Sequence, residues 1–139
     1  MKKLAILCLL ALMPALSHAA DTGSLTVTVL NVSDAGGQLR VGVYDEAGFK
    51  AKRGAPVAGK VVLARPGTMT LTIDGIAPGT YAVKMFQDVN RDGFFDYSPR
   101  LTEPYGFSND PPATTGLQGF DDVKIAIVPG ANAITVTLH

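Results

Sequence analysis

With 12 basic and 12 acidic side chains in 139 residues, the chain carries no net charge that would draw it to nucleic acid or to an anionic membrane surface. Its single cysteine excludes a disulfide framework, and its length suits one domain around one core.

The chain starts MKKLAILCLLALMPALSHAA. Lys2 and Lys3 make a basic start, and Leu4–Leu12 form an apolar run too short to span a bilayer as a stable helix. Pro14 breaks the run, and the small residues Ser17 and Ala19 mark a cleavage site. This pattern predicts a signal peptide over 1–19 and a single mature domain over 20–139. Cys8 lies inside the apolar run rather than at its end, so the product is not expected to be a lipoprotein. Cleavage after Ala19 leaves no cysteine, His139 as the sole histidine, and a net charge of about −2. The expected product is periplasmic or secreted and soluble, with no nucleic-acid partner and no membrane insertion after cleavage.

The mature chain alternates apolar and polar residues with period two, as half-buried strands do. SLTVTVLNV places Leu25, Val27 and Val29 on one face, and GQLRVGVYD does the same with Leu39, Val41 and Val43. KVVLA and MTLTID follow, split by Arg65-Pro66-Gly67. TYAVKMFQD sets Tyr81, Val83 and Met85 against Ala82, Lys84 and Phe86. VKIAIV (Val123–Val128) and AITVTL (Ala133–Leu138) close the chain. Turn residues punctuate these runs at Asp34–Gly37, Ala77–Gly79 and Pro129–Asn132. No amphipathic helix of ten residues is found, only one short helical turn near Glu46–Lys52. The expectation is an all-β fold: a seven-stranded antiparallel β-sandwich, immunoglobulin-like or transthyretin-like, with one long ordered loop.

Two connections are not tight turns. Ala47–Gly59 carries a small basic cluster, Lys50, Lys52 and Arg53, which reads as a solvated loop or as a local anion contact. Val89–Asp122 is far longer and rich in Pro, Gly and Asn, with Tyr105, Phe107 and Phe120 as apolar anchors. Loops of this length in a compact domain usually carry function or are ordered by a metal. It is expected to lie against the sandwich edge and cover exposed strand backbone.

That loop opens with DVNRDGFFD, the spelling of the first half of a calcium loop. Asp88 takes position 1, Asn90 position 3, Asp92 position 5, Gly93 the bend and Asp96 position 9. Phe94 at position 7 would offer its carbonyl oxygen. Position 12, where a glutamate should give two oxygens, is Pro99, and the next carboxylate is Glu103. The candidate Ca²⁺ ligands are therefore Asp88, Asn90, Asp92, Phe94, Asp96 and Glu103, the one cofactor this chain hints at. The other reading is an ion-free polar turn, because Asp and Asn cap their own backbone and Asp92-Gly93 is a good turn pair. In that case Arg91 and Arg100 are available to offset the clustered carboxylates. The sequence leaves both readings open.

GIAPGTYAVKMFQDVNRDGFFD, followed by EPYGFSNDPPA and GFDDVKIAI, resembles a bacterial exported family catalogued as domain of unknown function 2141. The resemblance covers nearly all of the mature chain, and its motifs run in order from Gly79 to Asn109. It implies a sandwich fold related to the transthyretin-like and immunoglobulin-like domains, and an exported location, but no reaction. Many members carry His-Asp where this chain has Gln87-Asp88, so any role of that histidine does not carry over.

A nucleophilic hydrolase needs a base, and the mature chain has no internal histidine; Ser108 in GFSND reads as part of a turn. No catalytic residue is assigned. The expected function is a non-catalytic binding or accessory module, whose loop residues Tyr105, Phe107 and Phe120 meet an unidentified protein or small ligand. The alternatives are a purely structural domain and a carboxylate-based hydrolase using Asp88, Asp96 and Glu103.

Overall fold

Period-two burial dictates the architecture of the computed structural model, which describes residues 21–112 and 118–139. The expected signal peptide lies outside these residues. In β1 (Gly23–Val32), Leu25, Val27 and Val29 are fully buried while their neighbours face outward. The same alternation buries Leu39, Val41 and Val43 in β2 (Gln38–Tyr44), and Val83 and Met85 in β5 (Gly79–Asp88). With β3 (Ala58–Leu63), β4 (Gly67–Ile76), β6 (Tyr105–Phe107), β7 (Lys124–Ile127) and β8 (Gly130–Thr137), the described strands form two sheets. The smaller has the order β4-β1-β8; the larger runs β3-β2-β5-β6, with β7 also on β5. Leu, Val, Ile and Met fill the space between them.

Two expectations about the sheets need correction. There are eight described strands, not seven, because the long loop contributes β6. The pairing is not wholly antiparallel: β1 and β8 run parallel from Gly23↔Gly130 to Leu30↔Thr137. Alternation specifies which side chains face the core, not the direction of the neighbouring strand, so the pattern alone cannot reveal a parallel pair. The short helical turn is α1 (Glu46–Lys50), capped by the Asp45 carboxylate on the Gly48 N–H at 2.7 Å. A second turn, α2 (Phe120–Val123), precedes β7.

β6 and β7 share one edge of β5. β7 pairs with Gly79–Ala82, and β6 with Lys84–Phe86. Between them, the β5 residue Val83 would lack a partner, and Ser108 fills the gap. Its backbone N–H donates to the Val83 carbonyl, its hydroxyl accepts from the Val83 N–H, and the same hydroxyl donates to the Val123 carbonyl. The buried Ser108 thus completes the ladder where one strand hands over to the next. Asn109 and Asp110 follow in the left-handed region, and the Asp110 carboxylate accepts from the Thr137 N–H and hydroxyl, tying this turn to β8.

Gln87 is fully buried. Its amide accepts from the Ser33 N–H and donates to the Ser33 and Gly36 carbonyls, clamping the β1–β2 turn. Gln87→Ala should cost about 2 kcal/mol in urea denaturation, since water can reach only part of what is left unpaired. A change under about 0.5 kcal/mol would show that the turn holds itself.

Candidate functional site

On β2 and β5, the face turned away from the core carries Arg40, Gly42 and Tyr44, and Lys84, Phe86 and Asp88. Register places them in rows across the larger sheet. One row reads Val61, Arg40, Phe86, Tyr105; the next reads Gly59, Gly42, Lys84, Phe107. These rows floor an open trough of about 1010 Å³. Phe49 and Lys52, on and just after α1, and Phe120 of α2 wall one end, and Gly93 and Phe95 of the acidic loop wall the other.

Seven of the ten aromatic residues line this trough, while the inter-sheet core is aliphatic. The rings form a continuous chain. Phe120 meets Phe49 at 5.7 Å between centroids, Phe49 meets Phe107 at 6.5 Å, Phe107 meets Tyr105 at 6.0 Å, and Tyr105 meets Phe95 at 5.2 Å. Phe95 also packs on Phe86 at 5.6 Å. These contacts are edge-to-face, the favoured arrangement for ring quadrupoles. Phe120 is itself buried, with Ala82 and Val123, and serves as the base of the wall.

Among the described residues no carboxylate lines the trough, but Arg40, Lys50, Lys52, Lys60 and Lys84 do. Arg40 is paired with Asp88, and Lys50 with Glu46. The Lys60 ammonium donates to the Thr72 carbonyl. Lys84 has no carboxylate partner among the described residues and sits 4.1 Å above the Tyr44 ring centroid and 4.9 Å from that of Phe49. Burial lowers the Lys84 pKa and raises that of the Tyr44 phenol. Gly42 makes this possible: a Cβ there would lie 2.5 Å from the Tyr44 ring, so only glycine lets the ring lie across the sheet.

The acidic loop is built on two buried carboxylates. Asp88 Oδ2 accepts from Arg40 Nε at 2.6 Å and from the Gly93 N–H at 2.9 Å, and Oδ1 accepts from the Asp92 N–H at 3.1 Å. Burial by itself would raise the Asp88 pKa; the Arg40 hydrogen bond and charge, with the loop amides, outweigh it and hold the carboxyl below its ordinary value. Glu103 accepts from the Val89 N–H at 2.8 Å and the Asp96 N–H at 3.0 Å, stapling the loop at both ends. Asn90 donates to Asp96 at 2.7 Å and to Asp92 at 3.3 Å, and the Asp92 carboxylate caps the Phe94 N–H. Phe94 itself is exposed.

As arranged, these six residues do not fit a calcium ion. The oxygens of Asp88 and Glu103 already face N–H donors, and the cation beside Asp88 is Arg40, not Arg91 or Arg100. No group of three or more His, Cys, Asp or Glu side chains among the described residues is placed to hold a metal. Millimolar calcium or a chelator should therefore move the melting temperature by less than about 1 °C, where ligand binding at 100 times Kd would add about 2.7 kcal/mol. A rise of several degrees, reversed by chelator, would restore the calcium reading.

Of the nine residues the sequence singled out, Tyr105, Phe107 and Phe120 come together in the trough; none of the acidic set lines it, although Gly93 and Phe95 of the same loop do. Arg40, Tyr44, Phe49, Lys84, Phe86 and Phe95 were missed. The available signal was the off-core face of β2 and β5, where Arg40, Tyr44, Lys84 and Phe86 stand in place of the small polar residues of an ordinary solvated face.

Fold and site together define a class: a small two-sheet β-sandwich whose larger sheet carries a basic, ring-lined trough on its outer face. The chain belongs to the family described as an uncharacterized protein conserved in bacteria (DUF2141), which matches residues 27–135. No curated protein and no solved structure matches it.

Proposed function

We propose that this protein is an exported, non-catalytic binding module and that the trough, not the acidic loop, is its ligand site. The observation that carries this reading is the placement of seven of ten aromatic residues along one concave surface outside the inter-sheet core, with Phe49, Phe107 and Phe120 also packing a small second cluster. A chain minimising exposed apolar area would bury its rings between the sheets; rings held on a sheet's outer face mark a recognition surface. The acidic loop supports the site by holding Arg40 in its floor and Phe95 in its end wall. The engagement of Asp88 and Glu103 by backbone amides favours a non-catalytic role over carboxylate-based hydrolysis. The basic start, apolar run and small residues of 1–19 support export. In immunoglobulin order the first two strands share a sheet; here β1 and β2 lie in different sheets, which favours the transthyretin-like of the two sandwich types.

The test uses phenylnaphthylamine, a neutral probe that fluoresces in apolar sites. Its emission should rise saturably on adding the protein, and Phe95→Ala should weaken binding at least about fivefold, roughly 1 kcal/mol of lost ring contact. Phe95 is exposed, so the variant should melt within about 2 °C of the wild type. Unsaturable binding, or binding indifferent to Phe95, would sink the reading. Export is tested separately: the mature protein should begin at Ala20 by mass spectrometry, and recovery of residues 1–19 in the accumulated product would overturn it.

A further inference from the structure

We infer that the trough takes a small organic anion with a flat aromatic body, and that Lys84 is the group that meets its charge. This rests on the trough being the binding site and adds the chemistry of what it binds.

Arg40 is neutralised by Asp88 and also donates to Gln38, Lys50 is paired with Glu46 outside the floor, and Lys60 reaches across to Thr72. Lys52, beyond the end of α1, is exposed to water. Lys84 differs from all four. It stands in the middle of the floor, between Gly42 and Phe107 in the cross-strand row, and its side chain is half-buried. The rings of Tyr44 and Phe49 take part of the place of its hydration, but no described carboxylate comes within ion-pair reach. Burial accordingly depresses its pKa, the mark of a cation that has lost water without gaining a counter-ion. A negatively charged ligand would complete it.

The rest of the trough limits what carries that charge. An ammonium is a compact point charge rather than a bidentate fork, so a carboxylate or sulfonate suits it as well as any larger anion. Arg40, the guanidinium that would favour a phosphate, has its Nε engaged by Asp88 at 2.6 Å. Beside Lys84 the floor is Gly42 overlaid by the Tyr44 ring, then Gly59, with no tall side chain between them. Phe107, Tyr105 and Phe95 continue from the other side. A planar ring laid on this surface gains stacked and edge contacts with its anionic substituent over Lys84.

The closing experiment compares anilinonaphthalene sulfonate with phenylnaphthylamine, the same rings without the sulfonate, on protein recovered after expression of the full chain. The sulfonate should bind at least about tenfold more tightly at low salt, and the gap should narrow as ionic strength rises. Lys84→Met should abolish the gap, and Lys84→Arg should keep most of it. Equal affinities for the two probes, or a gap that survives Lys84→Met, would overturn the inference and leave the binding site standing. Failure of both probes to saturate would remove the binding site itself.

Discussion

Replacing Asp88 by alanine should lower the unfolding free energy by about 3 kcal/mol, measured by urea denaturation. Removing one partner of a buried ion pair costs about 3–5 kcal/mol, because the remaining charge is left without a counter-charge. The lower end applies here, since the Arg40 side chain keeps 30% exposure and can rehydrate in part. The loss also frees the Gly93 and Asp92 amides, so the acidic loop should open and carry Phe95 away from Tyr105. Probe binding in the trough should fall with it. The pH dependence follows from the same carboxyl. Its pKa is depressed in the fold, so its contribution is complete above about pH 4, where the unfolded chain is ionised. It is lost as pH falls through the lower native value. The wild type should therefore lose stability on acidification below about pH 4 more steeply than Asp88→Asn, which has no such carboxyl to protonate. Parallel acid curves for the two proteins would refute the Arg40–Asp88 account.

Gly37→Ala should be costlier still, about 4 kcal/mol. Gly37 has φ +83°, a left-handed conformation that costs any residue with a Cβ about 1–2 kcal/mol. A Cβ there would also lie 2.1 Å from the Asp88 carbonyl oxygen and 2.7 Å from the Val89 Cα. Both are backbone atoms at the start of the acidic loop, so no rotamer change relieves the collision, and overpacking adds about 1–3 kcal/mol. Gly36 is the control. Its φ is +76°, but nothing lies within 4 Å of the added carbon, so Gly36→Ala should cost only about 1 kcal/mol. Equal losses in the two variants would show that conformation, not collision, decides both.

Legibility of the fold tracked the length of each alternating run. Leu25-Val27-Val29 and Tyr81-Val83-Met85 each sit in ten-residue strands, and their inward faces were readable because period two is a local property. β6 was not readable. Three residues at Tyr105–Phe107 are too few to show a period, and their strand state comes from pairing with Lys84–Phe86. α2 was likewise read as loop running into strand, because FDDV is a single turn with Asp122 back-bonded to the Gly119 N–H. In the site, DVNRDGFFD left a calcium loop and a self-bonding polar turn both open. The counter-ion of Asp88, Arg40, lies 48 residues earlier in the chain, and no local pattern links the two.

By itself the sequence determined the sandwich, the inward faces of its long strands and the place of the one long loop. These depend on alternation and turn residues. Tertiary structure decided the parallel β1–β8 pair, the burial of Gln87 and Glu103, the choice of Arg40 over Arg91 and Arg100 as counter-ion, and the trough. Each depends on cross-strand register, which sets side chains from distant segments side by side. Register brought Gly42, Lys84 and Phe107 into one row on the floor of the trough.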